Sequence, residues 1–387
     1  MSGGFRFGFD LGSNDNTEND AQIIEASLPC TKSVTLKECE RISENENHSR
    51  ELRCIDINKC WQNWNLSHAS IPCESIPLEC NTCKAPFNKK QATIEPLKRI
   101  SSTSSSSSST QEMDLTHTDL ISGQYEGGLK VWECSLDLCH YLSEQISTIE
   151  YNHHQNTIEN ETSSFYLETY KKALSPSGYT LELGCGHGLP GCLMAREGDD
   201  NKILFSDYNH FVLEQVTFPN VILNINHANK QTSITNRIAM MGGDWIDLSN
   251  QIYKQTALDT SQKDHSLDEQ TMVSIELPPN GRFDLILAAE TTYTEAAARD
   301  TAILLGKHLN INTGIGLISM KRYYFGVGGG VDAFRKAAES MVIDISNTTN
   351  IDGIAYTSGR LEVQTLKVYD NGVSNIRELI QVRCVST

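Results

Sequence analysis

Three closely spaced glycines follow a short apolar run and give the first indication of a ligand site. Residues 181–188 read LELGCGHG, so Gly184, Gly186 and Gly188 come at the end of the run. Because glycine has no Cβ, such a backbone can pass close beneath a ligand. Glu182 lies within the run, where its carboxylate could reach a cationic ligand or order the glycine loop. The same loop fits the dinucleotide pattern G-x-G-x-x-G, which is a weak signal when it stands alone.

An acidic residue ends the next apolar run. Asp207 closes the run at residues 202–207 and lies 21 residues beyond Gly186. Nucleotide-binding folds place there the acid that accepts hydrogen bonds from ribose hydroxyls. The alternative is a helix cap, since Asp207 and Asn209 both precede a helix-compatible segment. The glycine loop upstream favours the ribose role.

Polar and aromatic residues also follow the third and fourth runs. Residues 243–245, Gly-Asp-Trp, could place a carboxylate on an adenine amino group and an indole on the base, or form a turn with a core tryptophan. Glu290 and Tyr293 follow the run at residues 283–289. A carboxylate and a phenol there can orient a nucleophile and stabilise its charge, although a helix cap with a packing tyrosine is the alternative.

The elements that must position these residues follow from the alternation of apolar runs with helix-compatible segments. This alternation predicts an α/β fold, a Rossmann-like parallel sheet with helices on both faces that binds ligands at the carboxyl ends of its strands. The runs are residues 179–183, 202–207, 237–241, 283–289 and 314–320. Later runs at residues 341–345, 363–369 and 377–384 predict strands that complete the sheet.

The first part of the chain has a different composition. Residues 101–110 read SSTSSSSSST, a segment that cannot bury enough apolar surface to offset its ordering entropy. We therefore expect residues 1–110 to be a mostly disordered N-terminal region that ends in this linker, and residues 111–387 to form the folded domain. Residues 5–9, FRFGF, alternate in a way that suits a short docking strand.

Charge and hydropathy restrict the expected partners. Of the net charge of −17, residues 1–110 carry −2 and the remainder −15. An acidic body repels phosphate backbones, so we expect a basic protein partner and no direct nucleic-acid binding, although the charge could serve solubility alone. No apolar run approaches the roughly 18 residues that span a bilayer, so no membrane association is expected. We also expect a monomer.

The cysteines bear on compartment and metal binding. Several of the 12 cysteines lie in apolar runs, which suits a reducing compartment, and we expect the protein in the cytoplasm and nucleus. Cys80 and Cys83 have the spacing of metal ligands, with Cys73 nearby, but no second such pair follows at finger distance. No metal site is therefore expected.

Several of these segments together resemble the histidine protein methyltransferase family, a group of seven-β-strand methyltransferases. They are residues 127–134, 182–191, 207–209, 243–245, 290–293 and 323–331, and the similarity spans about residues 118–384. The most discriminating segment is FGVGGG at residues 325–330. Its glycines imply that the backbone lies against a bulky group. The alternative is that this segment is a mobile loop tip. His187 departs from the family pattern, which usually has a small residue there; it could crowd the donor or point to solvent.

The resemblance implies a Rossmann-like seven-stranded methyltransferase sheet and transfer of a methyl group from S-adenosyl-L-methionine to a histidine nitrogen of a protein, such as a large-subunit ribosomal protein. Glu290 and Tyr293 are the expected catalytic residues. Donor contacts are expected from Val131, Trp132, Glu133, Cys134, Ser135, Glu182, Gly184, Gly186, Gly188, Asp207, Tyr208, Asn209, Gly243, Asp244, Trp245 and Ala289. Substrate contacts are expected from Tyr324, Phe325, Gly328, Gly329 and Gly330.

Three other functions remain open on the sequence. A protein-lysine methyltransferase would use the same donor site and differ in the methylated amino acid. A non-catalytic ribosome-assembly partner would keep the fold without transferring a methyl group. An NAD oxidoreductase fits the literal G-x-G-x-x-G, but the sequence lacks a recognisable proton relay for hydride transfer.

Overall fold

Helices and strands alternate through the middle of the chain. The computed structural model describes residues 34–35, 52–60, 73–76, 97–100, 127–155, 161–225, 234–258, 275–345, 358–370, 372 and 375–387. The strands are β1 (Val34–Thr35), β2 (Arg53–Cys54), β3 (Cys73–Ile76), β4 (Leu97–Ile100), β5 (Tyr179–Leu183), β6 (Lys202–Asp207), β7 (Ile238–Gly242), β8 (Leu285–Ala289), β9 (Ile315–Lys321), β10 (Met341–Asp344), β11 (Ser358–Tyr369) and β12 (Arg377–Ser386). The helices are α1 (Glu133–Gln155), α2 (Glu161–Leu174), α3 (Leu189–Glu197), α4 (His210–Val212), α5 (Phe218–Ile225), α6 (Trp245–Leu258), α7 (Glu295–His308) and α8 (Val331–Glu339), with a π-helical turn at Leu213–Thr217 and a 3₁₀ turn at Ile234–Asn236.

Seven strands form the centre of the main sheet in the order β7-β6-β5-β8-β9-β12-β11. The five from β7 to β9 pair in parallel, and β12 pairs antiparallel with both β9 and β11. The strand order reverses beside β5, which has β6 on one side and β8 on the other. Such a reversal opens a crevice at the carboxyl ends of the two strands that flank it. The Rossmann-like sheet expected from the sequence is confirmed.

Within the described residues the main sheet has ten strands, so the expected number of seven describes only its centre. At one edge β10 pairs antiparallel with β11, and β1 pairs parallel with β10. At the other edge β2 pairs antiparallel with β7. A separate hairpin joins β3 to β4. Short edge strands of this kind cover backbone groups that would otherwise lack partners within the sheet.

Parts of residues 1–110 therefore belong to the folded body, although the division at residue 110 stays a prediction. Ile55 and Ile57 are buried, and the Ile55 N–H donates to the Met240 carbonyl at 2.8 Å. Residues 5–9, the serine linker, Cys80 and Cys83 lie outside the described residues.

The core lies on both faces of the sheet, as the alternating pattern predicts. One face packs Leu248 of α6, Ala302 of α7 and Phe334 of α8 against the strands. The other packs helices α1, α3 and α5, through side chains such as Leu138 and Leu193. Among the described helices, none combines the length and apolarity needed to cross a membrane. Both faces are thus closed by helices, which leaves the strand ends as the place for a site.

Candidate functional site

A cleft opens at the carboxyl ends of β5, β6 and β8. It contains about 600 Å³ of space, part of it open to solvent. Its lining consists of Gly127, Gly128, Lys130, Val131, Trp132, Ser135, Gly184, Cys185, Gly186, His187, Asp207, Tyr208, Trp245, Ala289, Glu290, Thr291 and Tyr293. These residues come from the segment before α1, from the loops after β5, β6 and β8, and from the start of α6. The sheet therefore brings together segments that are far apart in the sequence.

The glycine loop after β5 forms the floor of the cleft. Gly184, Gly186 and Gly188 have φ angles of 55°, 50° and 64°, in the left-handed region that favours glycine. A Cβ at Gly186 would lie 3.2 Å from the Gly128 carbonyl oxygen. The loop and the segment before α1 are thus in close backbone contact, and a larger residue would push them apart.

Glu182 orders this loop from beneath. Its Oε2 atom accepts a hydrogen bond of 2.7 Å from the Gly191 N–H, in the first turn of α3. The side chain is buried and does not line the cleft. Burial raises the pKa of Glu182 to about 8, against the lowering effect of the Gly191 hydrogen bond. Of the two roles that the sequence left open, ordering the loop is the one that these contacts describe.

Asp207 connects the glycine loop to the end of β6. Its Oδ2 atom accepts from the Gly186 N–H at 2.9 Å, and its Oδ1 atom accepts from the Asn209 N–H at 2.9 Å. The alternative of a helix cap does not apply, because Asn209 holds the N-cap position of α4 and makes no side-chain cap hydrogen bond. The carboxylate therefore lies at the cleft wall, and its contact with a ribose stays a prediction.

Two aromatic rings form the wall beside β6 and β7. Tyr208 and Trp245 stack with their centroids 4.9 Å apart and an interplanar angle of 19°. Asp244 instead caps α6, since its Oδ1 atom accepts from the Ile246 N–H at 2.8 Å. The rings line the cleft, whereas Asp244 does not.

The opposite end of the cleft holds a buried polar cluster around Glu290. The Glu290 Oε2 atom accepts from the Tyr324 hydroxyl at 2.5 Å, and Oε1 lies 3.3 Å from the Lys321 ammonium. Apart from that ion pair, Oε1 has no hydrogen-bond partner among the described residues. The backbone of Glu290 has a φ of 59°, a left-handed conformation that is strained for a residue with a side chain. Strain of this kind at a cleft is typical of a functional position.

Trp132 joins the cluster to the segment before α1. Its Nε1 atom donates to the Gly127 carbonyl at 3.0 Å. The ammonium groups of Lys130 and Lys321 lie 4.4 and 4.7 Å from the centroid of its ring. Such distances are within the range of cation–π attraction. The indole is therefore held in place at the cleft by contacts with three separate residues.

The glycine-rich segment lies against the loop that follows β8. A Cβ on Gly329 would collide with the Thr292 carbonyl, and Gly328 bridges to Thr294. The bulky object implied by the glycines is thus the protein's own backbone. Tyr324 is buried against Glu290, whereas Phe325 is 69% exposed. A substrate-binding role for this segment stays a prediction.

The comparisons with known proteins agree on methyl transfer. A sequence model of a family described as lysine methyltransferase matches residues 111–261. The histidine protein methyltransferase 1 homologue of Dictyostelium discoideum is 29% identical over 269 residues and covers 69% of this chain. The Rattus norvegicus homologue is 28% identical over 287 residues and covers 70% of this chain. The chain is thus similar in sequence to proteins named histidine protein methyltransferase. It spans 61% of the length of each of these two relatives.

Both expected catalytic residues and more than half of the expected donor residues line the cleft, whereas none of the expected substrate residues does. The expected residues in the lining are Val131, Trp132, Ser135, Gly184, Gly186, Asp207, Tyr208, Trp245, Ala289, Glu290 and Tyr293. The other assigned donor residues lie outside the lining: Glu133, Cys134, Glu182, Gly188, Asn209, Gly243 and Asp244. Several of these residues support the cleft from outside its lining. Glu133, for example, forms an ion pair of 3.3 Å with Arg377. Their contact with the methyl donor stays a prediction.

His187, the departure from the methyltransferase pattern, neither points to solvent nor stands alone in the cleft. Its Nε2 atom lies 3.2 Å from the Leu129 carbonyl and its Nδ1 atom 3.2 Å from the Asn220 amide nitrogen. Since a carbonyl can only accept, Nε2 carries the proton and Nδ1 accepts. The Asn220 amide also donates to the His187 carbonyl at 2.9 Å. His187 therefore connects the glycine loop, the segment before α1, and α5.

Sequence reasoning missed Lys130, Thr291 and Lys321. Lys321 ends β9, so the rule that singled out Asp207 and Glu290, a polar residue at the carboxyl end of a strand, would also have found it. Lys130 and Thr291 are neighbours of assigned residues and carry no separate signal in a relative of the methyltransferases.

Proposed function

We propose that this protein is a methyltransferase that uses S-adenosyl-L-methionine to methylate a histidine nitrogen of a protein. The single observation that carries the proposal is the cleft at the strand reversal, with Asp207 at one end and Glu290 with Tyr293 at the other. The first end suits a nucleoside and the second suits an acceptor side chain. The names of the relatives in the comparisons support histidine as the acceptor.

The residues of the cleft fit the methyl donor. The backbone of the glycine loop leaves room that side chains would fill, since a Cβ on Gly184 would already lie 3.0 Å from Thr291. The Asp207 carboxylate can accept from ribose hydroxyls, and Tyr208 with Trp245 can cover an adenine face. When bound, the donor supplies an electrophilic methyl group on a sulfonium.

Glu290 is the residue best placed to orient the acceptor. Because Glu290 lines the cleft, its carboxylate can accept the N–H of an imidazole, which fixes the tautomer and leaves the other ring nitrogen for attack. A neutral imidazole is nucleophilic near neutral pH, so no strong base is required. Tyr293, which also lines the cleft, can hold the ring in place.

We further propose a basic protein as substrate, with a large-subunit ribosomal protein as the leading candidate. The net charge of −15 on residues 111–387 supports this choice, because opposite charges favour encounter. The same proposal includes a monomer that acts in the cytoplasm and nucleus.

A lysine acceptor is the second candidate. The family description that matches residues 111–261 names lysine methyltransferases, and the donor half of the cleft would be the same for either acceptor. The two candidates differ in the methylated amino acid alone.

The test uses labelled S-adenosyl-L-methionine and a lysate from cells that lack the protein. Acid hydrolysis of the labelled product should yield methylhistidine, and methyllysine in its place would contradict the proposal. Asp207→Ala should weaken donor binding in calorimetry by about 10- to 100-fold, the cost of losing hydrogen bonds to a charged group. Asp370→Ala, which removes an exposed turn carboxylate, is the matched control. Donor binding of the Asp207 variant at full affinity would also overturn the proposal.

A further inference from the structure

Lys321 places a positive charge behind the acceptor end of the cleft. It ends β9, and its side chain is 7% exposed, as is that of Glu290. The Lys321 ammonium lies 3.3 Å from Glu290 Oε1 and 4.7 Å from the Trp132 ring centroid. A buried lysine in such a place is costly to maintain unless it is paired. Its contacts show that it is held against the carboxylate of Glu290, a residue that lines the cleft.

The other titratable groups of this cluster do not change its charge. Burial, and then the Glu290 charge, raise the pKa of Tyr324 and of the Cys134 thiol well above their usual values, so both stay neutral near pH 7. Farther along α1, Asp137 and Arg377 offset each other in an ion pair of 2.6 Å. Among the described residues, Lys321 is therefore the cation that an ion pair joins to the Glu290 carboxylate, while the Lys130 ammonium lies at the Trp132 ring, 4.4 Å from its centroid.

The pairing of Glu290 with Lys321 affects which acceptor the site can use. A lone buried carboxylate would favour a cation beside it, either an ammonium or a protonated imidazole. Neither cation has a lone pair with which to attack a methyl group. With Lys321 at 3.3 Å from Oε1 the field of the carboxylate is largely offset, while the carboxylate can still accept a hydrogen bond from a neutral group in the cleft.

We propose that Lys321 determines the acceptor class of this site: by offsetting Glu290, it makes the site select a neutral imidazole over a lysine ammonium. Lys321 acts through Glu290 and is a positioning residue. The inference rests on the proposed function, and it predicts that removal of the lysine charge slows imidazole methylation, whereas removal of both charges restores part of the rate.

The experiment compares the wild-type protein with Lys321→Met, which removes the charge and keeps most of the volume. Each protein is incubated with labelled S-adenosyl-L-methionine and lysate from cells that lack it, and methylhistidine and methyllysine are quantified after hydrolysis. We expect the methylhistidine yield to fall by about tenfold or more in Lys321→Met, because the unpaired carboxylate then holds the acceptor as a cation, which cannot attack the methyl group. Lys336→Met, at an exposed position on α8, is the control and should match the wild type.

A double variant separates the effect of the lost charge from the effect of altered packing. It also keeps the inference testable if the single variant folds poorly. Glu290→Gln with Lys321→Met removes both charges and restores neutrality, so its methylhistidine yield should exceed that of Lys321→Met alone. Calorimetric donor binding reports whether each variant is folded. A double variant no more active than Lys321→Met would overturn the inference.

The outcomes for the two proposals are distinct. Methylhistidine from the wild type together with an unchanged rate and product in Lys321→Met would overturn the role of Lys321 alone. Methyllysine from the wild type would overturn the proposed function and this inference with it.

Discussion

Four carboxylates lie near the carboxyl ends of the strands, and their surroundings give each a different task. Glu182 is buried beneath the glycine loop and holds the Gly191 N–H. Asp207 binds two backbone N–H groups at the cleft wall, and Asp244 caps a helix. Glu290 alone pairs with a buried lysine. The same functional group thus serves in loop ordering, at the cleft wall, in helix capping and in a buried ion pair, depending on which neighbour it meets.

Gly329→Ala should destabilise the protein more than Gly328→Ala. A Cβ at position 329 would collide with the Thr292 carbonyl, so two backbone segments would have to separate, at about 1–3 kcal/mol. At position 328 the nearest atom would be 3.7 Å away, and only the φ of 80° opposes a side chain, at about 1 kcal/mol. Urea denaturation of the two variants gives the comparison. Equal losses would show that the two loops are not in contact as described.

At the scale of elements, α1 is fixed to the sheet by an ion pair, and this sets the position of one cleft wall. The Arg377 Nε atom of β12 lies 2.6 Å from Asp137 Oδ2 of α1, and both side chains are nearly buried. The segment before α1, which carries Trp132, is attached to the glycine loop through His187. The cleft wall is therefore held at both ends by contacts between distant parts of the sequence.

The contribution of residues 52–60, the segment that contains β2, to the stability of the protein can be measured. Ile57 is 3% exposed and packs in the core on the face of the sheet that α1, α3 and α5 cover. Ile57→Ala should lower the free energy of unfolding by about 2–5 kcal/mol, as for other buried isoleucines. Val368→Ala, at a residue 49% exposed, should change it by less than about 0.5 kcal/mol. If both variants unfold at the wild-type urea concentration, residues 52–60 do not belong to the folded body.

At the scale of the whole molecule, the buried Glu182 makes stability depend on pH. Its pKa is about 8 in the folded protein and about 4.5 when exposed. Between these values the folded state binds a proton that the unfolded state has lost, so stability falls as pH rises through this window. Below pH 4.5 the contribution of the group is fully present, and above pH 8 it is lost.

Glu182→Gln should remove this dependence while keeping an oxygen that accepts the Gly191 N–H. Its stability relative to the wild type should increase with pH between 4.5 and 8, by at most about 1.4 kcal/mol per pH unit. Urea denaturation at several pH values measures the difference. Glu168→Gln, at an exposed glutamate, is the control and should show no such trend. A constant difference between Glu182→Gln and the wild type would mean that the buried acid is ionised throughout.

The sequence by itself determined the sheet and the strand ends from which the site is built. Apolar runs of strand length, separated by helix-compatible segments, have few other ways to bury their surface, so the central strands were readable, whereas their order in the sheet was not. Asp207, Glu290 and the glycine loop were found because each ends or follows such a run.

Only the tertiary structure decided which of these residues face the cleft and which support it. Glu182 and Gly186 are four residues apart, yet one lies beneath the loop and the other lines the cleft. The pairing of Lys321 with Glu290 joins two strand ends that no local pattern connects. The edge strands β1 and β2 were missed for the same reason: two-residue strands bury too little to leave a periodic signal, and they are ordered by the sheet that they join.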